Sequence, residues 1–353
     1  MEEKFMHRCF ELAQKGLGNV APNPMVGAVI VHNGKIIGEG YHQKYGGAHA
    51  EVNAIASVRN QELLKESTLY VNLEPCSHYG KTPPCAELII QKKIPKVVIA
   101  NEDPFPKVSG RGIDMMKEGG VEVIENFLAE EGKKLNRRFF TFHTQKRPYI
   151  ILKWAQTING FMDVTRENPE TPALRISNKT TSMLVHKLRA EESAILVGTK
   201  TALLDNPELT VRNWHGKNPV RVLIDKELRV PHNYRIYNEK SPTIVFTKKA
   251  PENTRYQHIE YIEVPFNGAA ETLNLEILLE KLYERSLQSL IVEGGSHLLN
   301  SFIQSGIWDE MQVETALTLT VPGGVPAPRI SGYCIQKEVI ENQTIERFIN
   351  ISR

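Results

Sequence analysis

The sequence has few of the features that mark membrane, secreted or nucleic-acid-binding proteins. No segment reaches the roughly 18 consecutive apolar residues that a membrane-spanning helix needs. The 43 Lys and Arg residues are balanced by 41 Asp and Glu residues, so the formal charge of +2 supplies no strong field for nucleic acid or acidic membranes. The opening residues, MEEKFMHRCFELAQKG, are too polar for a secretion signal. We therefore expect a cytoplasmic protein with neither a nucleic-acid nor a membrane partner.

Cysteine is also scarce, with four residues in 353. So few cysteines cannot form a disulfide framework, and in the cytoplasm they would be reduced thiols. Cys9 lies in the apolar stripe of the first predicted helix, so we expect it to pack in the core. Cys334 has no His or Cys near it and receives no role. Cys76 and Cys85 are the two candidates for chemistry.

The composition and length predict two folded domains. Hydrophobic residues make up 41% and charged residues 24%, which is typical of a folded chain, and 353 residues exceed one average core. Strands and helices alternate in the first part, with a hairpin at Asn33-Gly34 and one closing helix over 129–142. The polar residues 145–148 interrupt this pattern before it restarts. We predict α/β domains over 1–145 and 148–353, and a mobile loop at 163–175.

Two short segments contain a candidate zinc site. His49 and Glu51 open a predicted helix, Cys76 follows a predicted strand, and Cys85 begins another helix. One imidazole and two thiolates are the ligands of catalytic zinc sites that keep a fourth position open. The N-terminus of a helix favours the ionised form of a cysteine such as Cys85. Glu51 is rotated by about 200° from His49 on a helix, so it is free to move protons instead of binding metal.

This H-x-E and P-C pattern is typical of zinc nucleobase deaminases. The alternatives are a structural zinc site, with His78 as fourth ligand, or ordinary core residues. A deaminase that acts on nucleic acid is a further alternative, but such an enzyme is expected to carry a basic, aromatic-rich groove.

Longer motifs resemble the bifunctional deaminase/reductase family of riboflavin biosynthesis. In the first half they are PNPMVG at 22–27, LEPCSHYGKTPPC at 73–85 and DPFPKVSGRG at 103–112. In the second half they are ILKWAQTING at 151–160, LRAEESAILVGTKTALLDNPELTVR at 188–212 and IVEGGSHLL at 291–299. The resemblance covers almost the whole chain.

The resemblance implies both a fold and a reaction sequence. The fold would be α/β, with a cytidine-deaminase-like N-terminal domain and a dihydrofolate-reductase-like C-terminal domain. The enzyme would use Zn²⁺ to deaminate 2,5-diamino-6-(5-phosphoribosylamino)pyrimidin-4-one by hydrolysis. It would then use NADPH to reduce the ribosyl chain of the resulting uracil to ribityl. A homo-oligomer is compatible with the family, and the alternative is a deaminase with a degenerate reductase-like module.

Site residues can be carried over by position. For the deaminase, Glu51 would be the acid/base and His49, Cys76 and Cys85 the zinc ligands. The residues expected to contact the deaminase substrate are Asn23, His42, His78, Lys81 and Asp103. Phe105 stands where the family usually has Asn.

The reductase residues are carried over in the same way. Without the family, Gly294-Gly295 predicts only a strand-to-helix turn, which can be an ordinary turn or a phosphate site. The resemblance implies that the following residues bind the cofactor: Lys153, Ala155, Thr201, Asp205, Gly294 and Gly295. The residues implied to bind the substrate are Arg189, Leu209, Arg212 and Glu293. The chain departs from the family at Asn159, Ala173 and Arg175, which replace an Asp, a polar residue and a Trp.

Overall fold

The structure is a computed structural model that describes residues 2–79, 83–105, 109–252, 256–267 and 272–351. The chain divides into two compact units, Met1–Lys146 and Arg147–Arg353. In the described ranges, no helix is both long and apolar enough to cross a membrane.

The first unit is a five-stranded sheet in the order β2-β1-β3-β4-β5 with helices packed on it. Its strands are β1 (Gly27–His32), β2 (Lys35–Tyr41), β3 (Thr68–Val71), β4 (Lys96–Ile99) and β5 (Glu122–Ile124). Its helices are α1 (Glu3–Gln14), α2 (Ala50–Ser57), α3 (Cys85–Gln91), α4 (Arg111–Glu118), α5 (Ala129–Leu135) and α6 (Arg137–Gln145), with a 3-10 helix at Gln61–Glu66.

Local sequence signals account for much of this unit. Strands β1 and β2 form the predicted antiparallel hairpin, and both Asn33 and Gly34 have positive φ angles of 48° and 71°, as its tight turn requires. The apolar stripe of α1 is buried against the sheet, and Cys9 is fully buried within it. The prediction that Cys9 packs in the core is therefore confirmed.

The single helix predicted over 129–142 is wrong, because the chain forms two helices that meet at Asn136. The backbone of this buried residue is not helical, with φ −98° and ψ 26°. Its side-chain oxygen accepts a hydrogen bond from the Met25 N–H, and its amide donates to the Met25 carbonyl, both at 2.9 Å. A tertiary contact 111 residues away in sequence thus interrupts the helical pattern.

The second unit contains a nine-stranded sheet in the order β11-β10-β9-β8-β14-β6-β15-β18-β17. Its parallel strands are β6 (Tyr149–Thr157), β8 (Ala194–Gly198), β9 (Val220–Ile224), β10 (Thr243–Thr247), β11 (Ile259–Glu263), β14 (Ser289–Val292) and β15 (Glu310–Ala316). The antiparallel strands β17 (Tyr333–Ile340) and β18 (Gln343–Ile349) complete one edge. This C-terminal hairpin was not predicted from the sequence.

Shorter strands and four helices complete the described part of this unit. The strands are β7 (Phe161–Asp163), β12 (Phe266–Asn267), β13 (Thr272–Leu273) and β16 (Val325–Pro326). The helices are α7 (Lys179–Glu191), α8 (Thr199–Asp205), α9 (Leu275–Glu284) and α10 (Ser296–Ser305), with a 3-10 helix at Arg235–Tyr237.

Strand β6 shows how this sheet prepares a site. Ile150, Leu152 and Trp154 face one apolar core, whereas Ile151 belongs to the core on the opposite face. Along that opposite face, the side chains after Ile151 are Lys153 and Ala155, which are only half-buried. Polar side chains therefore begin toward the carboxyl end of the strand, where open parallel sheets bind ligands.

Candidate active sites

The first unit brings His49, Cys76 and Cys85 together from three different elements. His49 immediately precedes α2, Cys76 follows β3, and Cys85 is the first residue of α3. The His49 Nδ1 atom lies 3.5 Å from the Cys76 sulfur and 3.4 Å from the Cys85 sulfur. The Cys85 backbone N–H donates to the Cys76 sulfur at 3.3 Å.

This donor set fits a zinc ion. One nitrogen and two sulfur atoms all lie within 4.8 Å of one another, which is the span of ligands around one tetrahedral ion. In the described ranges the cluster contains no fourth Cys, His, Asp or Glu ligand, so it matches a site with an open position. His78 is exposed and is not part of this cluster, which disfavours the alternative of a structural site with His78 as fourth ligand.

Hydrogen bonds among the three side chains shift their pKa values in a way that suits metal binding. A hydrogen bond from the Cys85 thiol, followed by one with His49, lowers the pKa of Cys76 to about 4. The same contact with Cys76 raises the pKa of the Cys85 thiol, and a hydrogen bond with Cys76 raises the pKa of His49 to about 9. Cys76 is therefore the more readily ionised of the two thiols.

Glu51 lies in the first turn of α2 and is only 3% exposed. Burial raises its pKa to about 7, although the nearby charge of His49 opposes the rise. A carboxyl group with a pKa near neutrality can both accept and donate a proton under working conditions. Glu51 lies beside the cluster, but its carboxylate is not one of the metal-binding atoms.

Asn23 and His42 form a polar wall next to this cluster. The His42 ring lies 5.6 Å from the His49 ring, centre to centre. Burial lowers the pKa of His42, and its neutral ring can donate from Nδ1 to the Ala48 carbonyl at 3.0 Å. Its Nε2 atom then accepts a hydrogen bond from the Asn23 amide at 3.1 Å. This arrangement fixes the Asn23 side chain and leaves its oxygen available to another donor.

Asp103, a predicted substrate contact, is buried, and its backbone N–H is held by Glu74, which was not predicted as a site residue. The Glu74 carboxylate accepts hydrogen bonds from the backbone N–H groups of Asp103, Gly110, Gly112 and Ile113, at 2.8–3.3 Å. Burial raises the pKa of Asp103 to about 7. Glu74 precedes Pro75-Cys76 in the motif, but nothing in the sequence shows which backbone groups it binds.

The remaining residues of the first site are not brought to the cluster by any contact among the described residues. His78 is exposed, and Lys81 lies outside the described residues. Phe105, which replaces the usual Asn, packs against His143 of α6 with ring centres 5.1 Å apart. Its side chain is therefore engaged in an aromatic cluster with the end of the first unit.

In the second unit, a buried ion pair joins α7 to the end of β14. Arg189 donates to the Glu293 carboxylate at 2.7 Å, and both side chains are less than 15% exposed. Burial opposes ionisation, but the charges of Arg189 and Lys153 lower the pKa of Glu293. The Arg189 Nε and Glu293 Oε1 atoms are buried and have no protein partner among the described residues. Such unpaired polar atoms indicate a ligand or water position.

The glycine turn lies beside this pair and fits a dinucleotide phosphate. Gly295 precedes α10, and no side chain of the described residues caps that helix, so its first N–H groups can bind an anion. The Gly295 N–H donates to the Thr201 hydroxyl of α8 at 3.0 Å. A Cβ atom on Gly294 would lie 2.8 Å from the end of the Leu298 side chain, so a larger residue here would have to displace that side chain. These residues are compatible with NADPH.

The other predicted reductase residues have different surroundings. Ala155 is half-buried on β6, and Leu209 is buried in the core with a positive φ of 56°. Arg212 is half-exposed, and its backbone N–H donates to the His186 ring at 3.1 Å. Asp205 is the last residue of α8 and forms an ion pair with Arg166. Arg166 was not predicted from the sequence. His186 was also missed, although it is one turn before Arg189 on α7.

The chain departs from the family at three positions, and the structure explains one of them, Asn159. The Asn159 amide donates to the Val321 carbonyl at 2.7 Å, and its oxygen accepts a hydrogen bond from the Thr157 hydroxyl at 2.8 Å. An Asp at 159 lacks this amide donor. Ala173 and Arg175 are exposed, and nothing in the structure explains these two replacements.

A further buried carboxylate, Glu314, was not predicted. It lies on β15 beside Ala155 of β6 and accepts hydrogen bonds from the hydroxyls of Ser177 at 2.7 Å and Thr181 at 2.6 Å. These contacts fasten the start of α7 to the sheet. A lone Glu in a strand gives no sequence signal of such partners.

Comparisons with protein families match both units. Residues 1–101 match the cytidine and deoxycytidylate deaminase zinc-binding region, and residues 148–320 match the RibD C-terminal domain. A riboflavin biosynthesis protein RibD from Aquifex aeolicus is 42% identical over 89% of this chain and 86% of its own length. The corresponding protein of Bacillus amyloliquefaciens is 38% identical over 96% of this chain and 91% of its own.

Solved structures also match this chain over almost its full length. A diaminohydroxyphosphoribosylaminopyrimidine deaminase/5-amino-6-(5-phosphoribosylamino)uracil reductase from Thermotoga maritima superposes with a TM-score of 0.86 and 38% identity, covering 99% of this chain and 98% of its own. RibD from Acinetobacter baumannii gives a TM-score of 0.86 at 29% identity, with 98% of both chains covered. The predicted fold class is confirmed by these matches.

Proposed function

The chain belongs to the riboflavin biosynthesis protein RibD family, and from this premise we propose that it performs both reactions of that family. It deaminates 2,5-diamino-6-(5-phosphoribosylamino)pyrimidin-4-one and then reduces the ribosyl chain of the uracil product with NADPH. The observation that carries the proposal is the cluster of His49, Cys76 and Cys85 next to the buried Glu51. The alternative of a deaminase with a degenerate second module is disfavoured, because the reductase-domain family also matches.

The two activities are assigned to different parts of the chain. We assign deamination to residues 1–145 and reduction to residues 148–353. This assignment is supported by the two compact units and by the separate ranges that match each family. Because the residues proposed for each reaction lie in separate ranges, a mutation in one range should remove one reaction and leave the other.

In the deaminase reaction, water replaces the amino group of the pyrimidine and ammonia leaves. His49, Cys76 and Cys85 would hold zinc, which supplies Lewis-acid activation of the attacking water. The Glu51 carboxylate takes a proton from that water and gives it to the ring nitrogen, and then takes the proton of the newly added hydroxyl group and gives it to the departing amine. Asn23 and Asp103 orient the ring by hydrogen bonds, His42 lines the pocket and holds Asn23 in place, and His78 and Lys81 are further substrate contacts.

In the reductase reaction, the chain binds and orients the two reactants. NADPH supplies the hydride, and its phosphates are assigned to Gly294 and Gly295 at the start of α10. The other cofactor contacts are Lys153, Ala155, Thr201 and Asp205. For the sugar phosphate, Arg189 and Arg212 provide positive charge, while Glu293 holds Arg189 in place. Leu209 completes the substrate residues, through its backbone since its side chain is buried.

The proposal also specifies location and partners. The substrate is a small phosphorylated molecule, which requires neither nucleic acid nor a membrane, and the enzyme works in the cytoplasm. We assign it a homo-oligomeric state formed through β17, the edge strand of the large sheet. This strand pairs only with β18 in the described part of the chain, and it exposes Tyr333, Ile335 and Val339. An exposed apolar edge strand favours pairing with another copy.

The test measures both reactions on one preparation. The wild-type chain should release ammonia from the diaminopyrimidinone and oxidise NADPH with the deaminated product. Glu51→Gln should lower ammonia release by a factor of about 10² or more, because glutamine cannot transfer protons. Zinc content and NADPH oxidation should stay unchanged in this variant. Near-normal ammonia release would reject the role of Glu51, whereas loss of both activities would contradict the separation of the sites.

A further inference from the structure

Arg166 forms a buried junction between two segments of the second unit. It lies in the connection between β7 and α7, and its side chain is only 6% exposed. Its Nε donates to the Asp163 carboxylate at 2.6 Å, and its Nη1 donates to the Leu204 carbonyl at 3.2 Å. Its Nη2 donates to the Asp205 carboxylate. One guanidinium therefore holds the start of the connection and the last turn of α8 together.

The two carboxylates depend on Arg166 to different degrees. Asp163 also accepts hydrogen bonds from the N–H groups of Val164 and Leu174, at 2.9 and 2.8 Å. The Asp205 carboxylate has no hydrogen bond among the described residues other than that with Arg166, and its side chain remains 35% exposed. Burial disfavours the charge of Arg166, but the two carboxylates raise its pKa. Arg166 therefore determines the orientation of Asp205 far more than that of Asp163.

This junction lies next to the glycine turn. Thr201 and Asp205 are four residues apart on α8, so their side chains share one face about 6 Å apart. The Thr201 hydroxyl accepts the hydrogen bond from the Gly295 N–H at the start of α10. Asp205 is thus one helical turn from the group to which the cofactor phosphates are assigned. A bare carboxylate at this distance would repel an anionic cofactor.

We propose that Arg166 is a positioning residue for NADPH. It binds one oxygen of Asp205, which leaves the other oxygen directed to accept a hydrogen bond from a hydroxyl group of the dinucleotide. Its positive charge also offsets that of the carboxylate near the cofactor phosphates. This inference rests on the proposed reductase function, but it concerns cofactor binding and not the transfer of hydride.

The experiment measures NADPH binding to the full chain without substrate, by the change in cofactor fluorescence. Arg166→Met and Asp205→Asn should each raise the Kd for NADPH by about tenfold, the effect of losing one charge-assisted contact. Because both changes remove the same ion pair, the Kd of the double variant should not exceed that of the weaker-binding single variant. Arg166→Lys keeps the charge but not the three-way geometry, so its Kd should lie between wild type and Arg166→Met.

Asp163→Asn is the matched control. It weakens the hold of Arg166 on the connection but leaves the Asp205 contact, so its Kd for NADPH should change by less than about threefold. In the Arg166 variants and in Asp163→Asn, the maximal rate at saturating NADPH should stay within about twofold of wild type. The fluorescence of Trp154, Trp214 and Trp308, which all lie in the second unit, checks that this unit is folded. If Arg166→Met does not fold, the Kd of Arg166→Lys for NADPH tests the inference instead.

Several results would overturn the inference. Wild-type affinity in Arg166→Met or Arg166→Lys would remove Arg166 from cofactor positioning. Additive effects of about a hundredfold in the double variant would mean that Arg166 and Asp205 act separately. An equally large effect of Asp163→Asn on the Kd for NADPH would mean that Arg166 only holds the connection between β7 and α7 in place. A wild-type chain that binds NADPH but does not oxidise it contradicts only the reductase proposal, whereas one that fails to bind NADPH contradicts both.

Discussion

Single residues in this protein take much of their chemistry from burial. His143 is a clear case, because its ring packs among the rings of Phe105, Phe139 and Phe142, with centres 4.4–5.3 Å away. Burial, with a smaller contribution from Lys146, lowers its pKa from 6.5 to about 4. The unfolded chain therefore binds more protons than the folded chain between these two values. As a result, His143 should make the first unit less stable as the pH falls from 6.5 to 4.

Replacing His143 by Phe should remove this sensitivity, since Phe fills the same aromatic cluster without titrating. Relative to wild type, His143→Phe should gain on the order of 1 kcal/mol in free energy of unfolding between pH 7 and pH 5, after allowance for solvent screening. Hydrogen exchange of peptides from β3 and β4, compared with wild type at each pH, measures the change for the first unit alone. A difference between the two proteins that is the same at both pH values would contradict the prediction.

At the scale of elements, single side chains hold loops and turns in place. Glu74 binds four backbone N–H groups, two in the segment before α4 and two in the first turn of α4. A Gln at this position replaces one acceptor oxygen by a donor, so at least one N–H loses its partner. Glu74→Gln should lower the stability of the first unit by about 2–3 kcal/mol. It should also raise the KM for the diaminopyrimidinone about tenfold, because Asp103 loses its support, while zinc content stays constant.

Steady-state kinetics and metal analysis check this prediction. Glu87→Gln is a suitable control, because Glu87 is a half-buried residue of α3 whose hydrogen bonds go to Tyr79 and Gln91. Its KM should match wild type. An unchanged KM in Glu74→Gln would show that the segment keeps its position without the carboxylate.

The turn between β6 and β7 depends on Asn159 in a similar way. Its amide donates to the Val321 carbonyl, where an Asp would place a second acceptor opposite the first. Asn159→Asp should therefore lower the stability of the second unit by about 1–3 kcal/mol, measured by tryptophan fluorescence in urea. Although this change restores the residue usual in the family, it should not tighten NADPH binding. Tighter binding with unchanged stability would assign position 159 to the cofactor instead of the turn.

At the scale of the whole molecule, the large sheet ends in an exposed strand. Val339 on β17 is 65% exposed, and its neighbours Tyr333 and Ile335 are also exposed. Val339→Lys places a charge in the proposed interface, so it should shift the chain toward monomer in sedimentation velocity at micromolar concentration. Lys337→Arg keeps the positive charge opposite Glu346 on the same strand and serves as a comparison. A wild-type chain that is monomeric throughout would contradict an interface at β17.

The sequence determined the parts of this protein that depend on local pattern. Apolar periodicity specified the buried stripe of α1, and Asn33-Gly34 specified the hairpin turn, because the responsible groups are neighbours along the chain. Short motifs and family resemblance were enough to predict the α/β fold, the two reactions and both cofactors. These features follow from residue order, whatever the distant contacts are.

Only the tertiary structure decided which distant groups meet. The break at Asn136 requires Met25, Arg166 reaches an Asp that is 39 residues away, and Glu74 binds N–H groups up to 39 residues away. A buried charge or amide must find partners wherever the fold places them, and no sequence period encodes that choice. The residues that support the candidate sites were therefore missed, whereas the residues within the sequence motifs could be proposed from the sequence alone.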